Sequence, residues 1–187
     1  MNTLDFEITP SPANDHQIRF LVDGEDWIGD WYLGIDPPEF FAQNNILSDG
    51  YLLIGRCGCG FVGCDDHYVK VERNESKVIW TSRNRNPVEF RTGEYDSVIE
   101  SAKTDTSWED TKRTAERIIS QVFIGTFIED GYKFDWASAR IKNNTITLLF
   151  SNNGMHKLIE FSWDEKSIED ALITAKRYYK DIIKQVS

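Results

Sequence analysis

The sequence predicts an α+β fold: a largely antiparallel sheet of about eight strands with two main amphipathic helices packed on it, in a single domain over residues 1–187. Three observations carry this reading. Turn dipeptides recur at short intervals between apolar or alternating runs: Asp23-Gly24, Asp49-Gly50, Asn74-Glu75, Asn143-Asn144 and Asn153-Gly154. Two later stretches repeat apolar residues at helical spacing behind a capping side chain. The chain of 187 residues, 40% hydrophobic and 13% aromatic, suffices for one packed core and is short for two domains.

Taken in order, strands are expected at residues 4–8, 18–22, 51–56, 68–72, 78–82, 88–91, 133–142, 145–150 and 157–163. The last three should form a meander. In the ninth, Ile159, Phe161 and Trp163 share one face while Glu160 and Ser162 take the other, so one side meets a core. The run Tyr51 to Gly55 is continuously apolar, which predicts a strand covered on both faces near the middle of a sheet. "TPSPAND" (residues 9–15) reads as a connection, and "GIDPPEFF" opens as a turn at Gly34.

A short helix is expected around residues 95–102. The first main helix is predicted from a cap at Ser107, with Trp108, Ala115, Ile118, Ile119 and Val122 on its apolar face. The last begins behind Ser167, three residues before Asp170, and sets Ile168, Ala171, Leu172, Ala175, Tyr179, Ile182 and Val186 in one stripe.

The net charge of -10 disfavours phosphate backbones and anionic lipid, so neither nucleic acid nor a membrane is expected as a partner. Arg83 and Arg85 form the one basic spot outside the helices and read as a solvated connection. The first residues have no basic segment followed by an apolar run, and three cysteines within eight residues do not make a secreted disulfide framework. A reducing cytoplasm is the expected location.

All three cysteines lie in "GRCGCGFVGCDDH", residues 55–67. Gly58, Gly60 and Gly63 spell G-x-G-x-x-G, but the next segment alternates as a strand instead of opening a helix, so no phosphate-binding N-terminus follows. Cys57, Cys59, Cys64 and His67 are candidate ligands of a zinc ion, since thiolates and imidazole suit that metal and the glycines let the chain fold back. A glycine-rich hairpin with partly buried thiols and a redox-sensitive pair are the other readings, and Arg56 beside the sulfurs would favour a thiolate. Here residues 51–80 resemble a group of uncharacterised bacterial proteins, in which a strand ends in a Cys-Gly turn, a Gly-Cys step follows, and a Val-x-Trp strand comes later. The resemblance implies a structural role for Cys57 and Cys64 and carries no activity; Cys59 departs from the pattern.

A second constellation is "DGEDWIGDWYLGID". Asp23, Glu25, Asp26, Trp27, Asp30 and Trp31 are candidate partner-binding residues, because aromatic rings supply contact area and carboxylates steer a basic protein. A hairpin with buried tryptophans and solvated acids is the plainer alternative. No nucleophile turn or catalytic pairing stands out among His16, His67 and His156. The leading expectation is a noncatalytic protein-binding module, of the kind that inhibits a basic toxin domain as an immunity protein does. The alternative is a zinc or thiol protein centred on residues 57–67.

Overall fold

In the computed structural model a strand forms at each of the nine expected places, the seventh stopping at Ser138 and not at residue 142, yet they pair into three antiparallel sheets, the largest of five strands, and not into one sheet of about eight. The structure describes residues 1–11, 16–59, 61, 63–83 and 85–186, with side chains up to residue 181. Part of the "TPSPAND" connection, Gly60 and the side chains of Ile182 and Val186 therefore lie outside the described residues. Among those described are eleven strands and four α-helices, in two compact units, Met1–Trp108 and Glu109–Ser187. No described helix is long and apolar enough to cross a membrane.

In the first unit, β1 (Leu4–Pro10), β2 (His16–Val22) and β3 (Glu25–Asp26) form one sheet in that order. Asp23 and Gly24 sit at φ 54° and 82°, and this turn sets the hairpin from β2 to the two-residue β3. The second sheet runs β4 (Tyr32–Leu33), β5 (Gly50–Cys57), β6 (His67–Arg73), β7 (Lys77–Thr81), β8 (Val88–Arg91), again in chain order. The Ile18 amide donates to the Ile35 carbonyl at 2.8 Å, where the chain beyond β4 passes β2. Gly34 permits this approach, since a Cβ there would collide with the Ile18 carbonyl oxygen.

Leu52, Leu53 and Ile54 of β5 are buried, as the continuous apolar run requires. The strand is nevertheless second from the sheet edge, and β6 is the middle. Where β4 stops, the Gln43 side chain takes over the pairing: its Nε2 donates to the Leu53 carbonyl at 3.0 Å, and its Oε1 accepts from the Leu53 amide at 2.8 Å. A side-chain amide thereby satisfies an edge that would otherwise be open. Gln43 follows α1 (Pro37–Phe41), a short helix where the sequence reads a turn; two prolines start it without losing a needed donor.

The core of this unit is aromatic, with Phe20, Phe40, Trp80, Phe90 and Tyr95 all at 1% exposure or less. Tyr95 comes from α2 (Thr92–Thr104), longer than the helix expected there. Burial holds the Tyr95 hydroxyl far above the usual tyrosine range, and it donates to the Ile46 carbonyl at 3.2 Å. A raised folded-state pKa contributes stability that is complete below the unfolded value near 10 and is lost as pH rises beyond it. The unfolding free energy from urea titration should fall more steeply above about pH 10 in the wild type than in Tyr95→Phe, by up to about 1.4 kcal/mol per pH unit. Parallel curves for the two proteins would refute this.

The second unit contains α3 (Thr111–Phe123), a 3-10 turn (Glu129–Gly131), β9 (Lys133–Ser138), β10 (Thr145–Asn152), β11 (Met155–Ser162) and α4 (Ile168–Val186). The three strands make the expected meander, with Asn153 and Gly154 at φ 48° and 79° in the tight turn. Phe161 and Trp163 face the core, whereas Glu160 and Ser162 are exposed. Helix α3 does not start behind Ser107: Asp110 caps it by accepting from the Arg113 amide at 2.8 Å, and Trp108 precedes it. Ser107 is held instead by Asp105, whose carboxylate accepts its amide at 2.8 Å. At α4, Ser167 Oγ accepts from the Asp170 amide at 3.1 Å, the cap the sequence predicts.

The single sheet fails for a physical reason. Turn residues specify which neighbours in sequence pair, whereas the joining of hairpins edge to edge depends on what lies between them. Helices α2 and α3 separate β8 from β9, and each group of strands closes on its own core.

Candidate ligand cleft and thiol cluster

Strand β5 ends at Cys57 and β6 begins at His67, so the cysteine loop is the connection of a hairpin in the first unit. Gly63 takes a positive φ of 79°, and the Cys64 amide donates to the Phe61 carbonyl at 3.2 Å, turning the loop back. One ligand atom from each of Cys57, Cys59 and Cys64 lies within 4.8 Å of the others. Cys57 and Cys59 are in disulfide contact, with Cα atoms 5.4 Å apart, and Cys64 is free and exposed. His67 does not join the sulfurs. It is buried, its ring centroid 4.6 Å from that of Tyr32, and its Nε2 is 3.4 Å from Ser82 Oγ. Burial, followed by the nearby Arg85 charge, holds its pKa below the ordinary histidine value, so the imidazole is neutral at pH 7. Arg56 lends the thiols little positive charge, because it pairs with Glu39 and lies 3.9 Å from Asp66.

The acidic and aromatic segment divides in two. Asp23 accepts from Asn2 Nδ2 at 2.6 Å and from the Thr3 amide at 2.7 Å, tying down the N-terminus. Asp26 pairs with Arg19 and accepts the Ile28 amide at 3.1 Å, and Trp27 is buried against Trp80. These three serve the fold. Glu25, Asp30 and Trp31 face solvent, with Trp31 at 87% exposure.

The two constellations meet through β4. Tyr32 pairs with Cys57, an approach that Gly55 permits because a Cβ there would already touch the Tyr32 side chain and the Leu33 carbonyl at 3.2 Å. The result is a cleft of about 700 Å³ lined by Trp31, Tyr32, Cys57, Asp65, His67 and Arg85 among others. Its size is ordinary for a small-molecule site. The Tyr32 hydroxyl donates to Asp65 at 3.3 Å. The Arg85 guanidinium lies 5.8 Å from the Trp27 ring centroid and also lines a neighbouring hollow of about 600 Å³ with Arg83 and Asn86.

Sequence reasoning reached Asp65 only as a substitute metal ligand and Tyr32 only as part of the acidic and aromatic segment, and it did not bring either together with Arg85. A two-residue strand leaves no periodic signal, so nothing in the chain announces that residue 32 meets residue 57. Arg83-x-Arg85 was the one available hint, as an isolated basic spot in an acidic chain. Comparison with protein-family models, with curated proteins and with solved structures finds no match in any of the three, so the geometry alone carries the functional reading.

Proposed function

We propose that the protein is a noncatalytic metal-binding module that holds a zinc ion on Cys57, Cys59 and Cys64. The observation that supports this is the convergence of three sulfurs within 4.8 Å. Tetrahedral zinc with Zn–S bonds of about 2.3 Å sets sulfurs roughly 3.8 Å apart, so only small side-chain rotations are required. Asp65 and Asp66 add negative charge beside the loop, which favours a cation there. Three ligands leave a fourth tetrahedral position, and the exposure of Cys59 and Cys64 opens it to water or to an incoming donor. A disulfide between Cys57 and Cys59 removes two ligands, so oxidation and metal binding exclude one another. The reading therefore places the working protein in a reducing compartment such as the cytoplasm.

Native mass spectrometry of reduced protein given one equivalent of Zn²⁺ should show one ion per chain. The ion should be lost on denaturation and in Cys57→Ser and Cys64→Ser variants of unchanged circular dichroism. A metal-free chain lighter by two hydrogens, or zinc retained by both variants, would overturn the proposal.

A second reading rests on Trp31. Its 87% exposure, beside exposed Glu25 and Asp30, supports a protein-binding face of the immunity type directed at a basic domain. Such binding to a panel of basic proteins should persist in about 0.5 M salt and disappear in Trp31→Ala.

A further inference from the structure

We infer that the cleft beside the cysteine loop binds a small zwitterion with a planar apolar body, the chemical class of an aromatic amino acid or a short peptide containing one. This goes beyond the metal reading and does not require it.

Most arginines here are neutralised: Arg19 by Asp26, Arg56 by Glu39, Arg73 by Asp96, Arg91 by Glu94 and Arg117 by Glu109. Arg85 makes no ion pair among the described residues, although the chain carries 31 carboxylate side chains. Asp65, in the same cleft, has no cationic partner among the described residues, only the Tyr32 hydroxyl at 3.3 Å. The two charges line one cleft without satisfying each other.

An unpaired cation and an unpaired anion sharing a concave site constrain what can enter. A purely anionic ligand would gain at Arg85 and be repelled by Asp65 and by the net charge of -10. A purely cationic ligand meets the reverse problem at Arg85. An apolar ligand would strip water from both charges and return nothing. Only a ligand presenting an anion to Arg85 and a cation to Asp65 pairs both.

The walls select its body. Trp31 offers an exposed indole, and the Tyr32 and His67 rings pack against each other with centroids 4.6 Å apart, so together they make one aromatic wall, with His67 buried. Flat aromatic faces favour a flat apolar partner, and they also stabilise a cation placed over them.

The test uses a set of indole probes: L-tryptophan and the dipeptide Trp-Gly, which differ in the separation of their charges, with tryptamine and indole-3-propionate, each lacking one charge. Binding to the full chain is read by calorimetry and by chemical-shift changes at the Trp31 indole N–H. At least one zwitterion should bind about 10-fold more tightly than either singly charged relative. Arg85→Gln should erase its advantage over tryptamine, and Asp65→Asn its advantage over indole-3-propionate, with amide spectra otherwise preserved. A singly charged probe that binds as well as both zwitterions in the wild type would overturn the inference. So would a double-charge preference that survives both substitutions. Repeating the titration with chelator-treated Cys64→Ser protein separates this from the metal proposal, because the zwitterion preference should persist there.

Discussion

Replacing Trp80 by alanine should destabilise the Met1–Trp108 unit by about 3–5 kcal/mol, the range for removing a fully buried large aromatic side chain. Trp80 is wholly inaccessible and stands at the centre of the aromatic core. Its ring centroid lies 5.4 Å from Phe90, 5.7 Å from Trp27, 5.9 Å from Phe20 and 6.0 Å from Tyr95. Those four partners come from separate places along the chain and cannot all move inward together, so truncation leaves a cavity. Lost transfer energy and lost ring–ring attraction then add to the cost of the void. Trp80→Phe, which keeps a ring in place, should cost less than half as much. Two units need not unfold in one step, so the clearest measurement is amide hydrogen exchange in β5 to β8 alongside urea denaturation. A loss below about 1 kcal/mol in those amides would show that the ring cluster is not what holds the sheet.

In the Glu109–Ser187 unit the largest effect is expected at Glu116. Its carboxylate is buried and accepts from the Ala139 amide at 2.8 Å, Arg140 Nε at 2.9 Å, Ser138 Oγ at 3.0 Å and Arg113 Nη1 at 3.3 Å. One side chain on α3 thus pins the end of β9 and gathers two guanidinium groups. Glu116→Ala removes the charge that those groups share and the acceptor of a buried backbone amide, and should cost about 3–5 kcal/mol. Glu116→Gln retains the shape and one acceptor, so its loss should be nearer 1–3 kcal/mol. Thermal melts together with hydrogen exchange at Ala139 distinguish the cases. If both variants melt like the wild type, the network is incidental to stability.

Neither residue announces its role in the sequence. Trp80 belongs to an expected strand, but only the packing of two sheets and α2 makes it the central ring. Glu116 sits in a charged run on an amphipathic helix, a pattern that ordinarily marks a solvated face. Burial of a carboxylate depends on partners that come from more than twenty residues further along the chain.

The cysteine loop divides in the same way. The residue types and spacing of Cys57, Cys59 and Cys64 were readable as a cluster of ligands, because the interspersed glycines let so short a loop fold back on itself. His67, as close in sequence to Cys64 as a fourth ligand would need to be, turns into the core because it starts β6 and alternation sends its side chain inward. Of the acidic and aromatic segment, Trp27 turns into the core, while Asp23 holds the N-terminus and Asp26 an arginine.

What the sequence by itself determined is local: the strands, the tight turns, the caps of the last helix, and the gathering of three sulfurs in one loop. Each depends on interactions among residues close along the chain, namely alternation, positive-φ turn chemistry and side-chain capping. What only the tertiary structure decided is the division into three sheets and two cores, the burial of Glu116, and the cleft where Tyr32, Asp65, His67 and Arg85 meet Cys57. Those outcomes depend on which surfaces find one another across long stretches of chain. The hydrophobic effect that brings them together is non-directional, so it leaves no spacing to be read in advance.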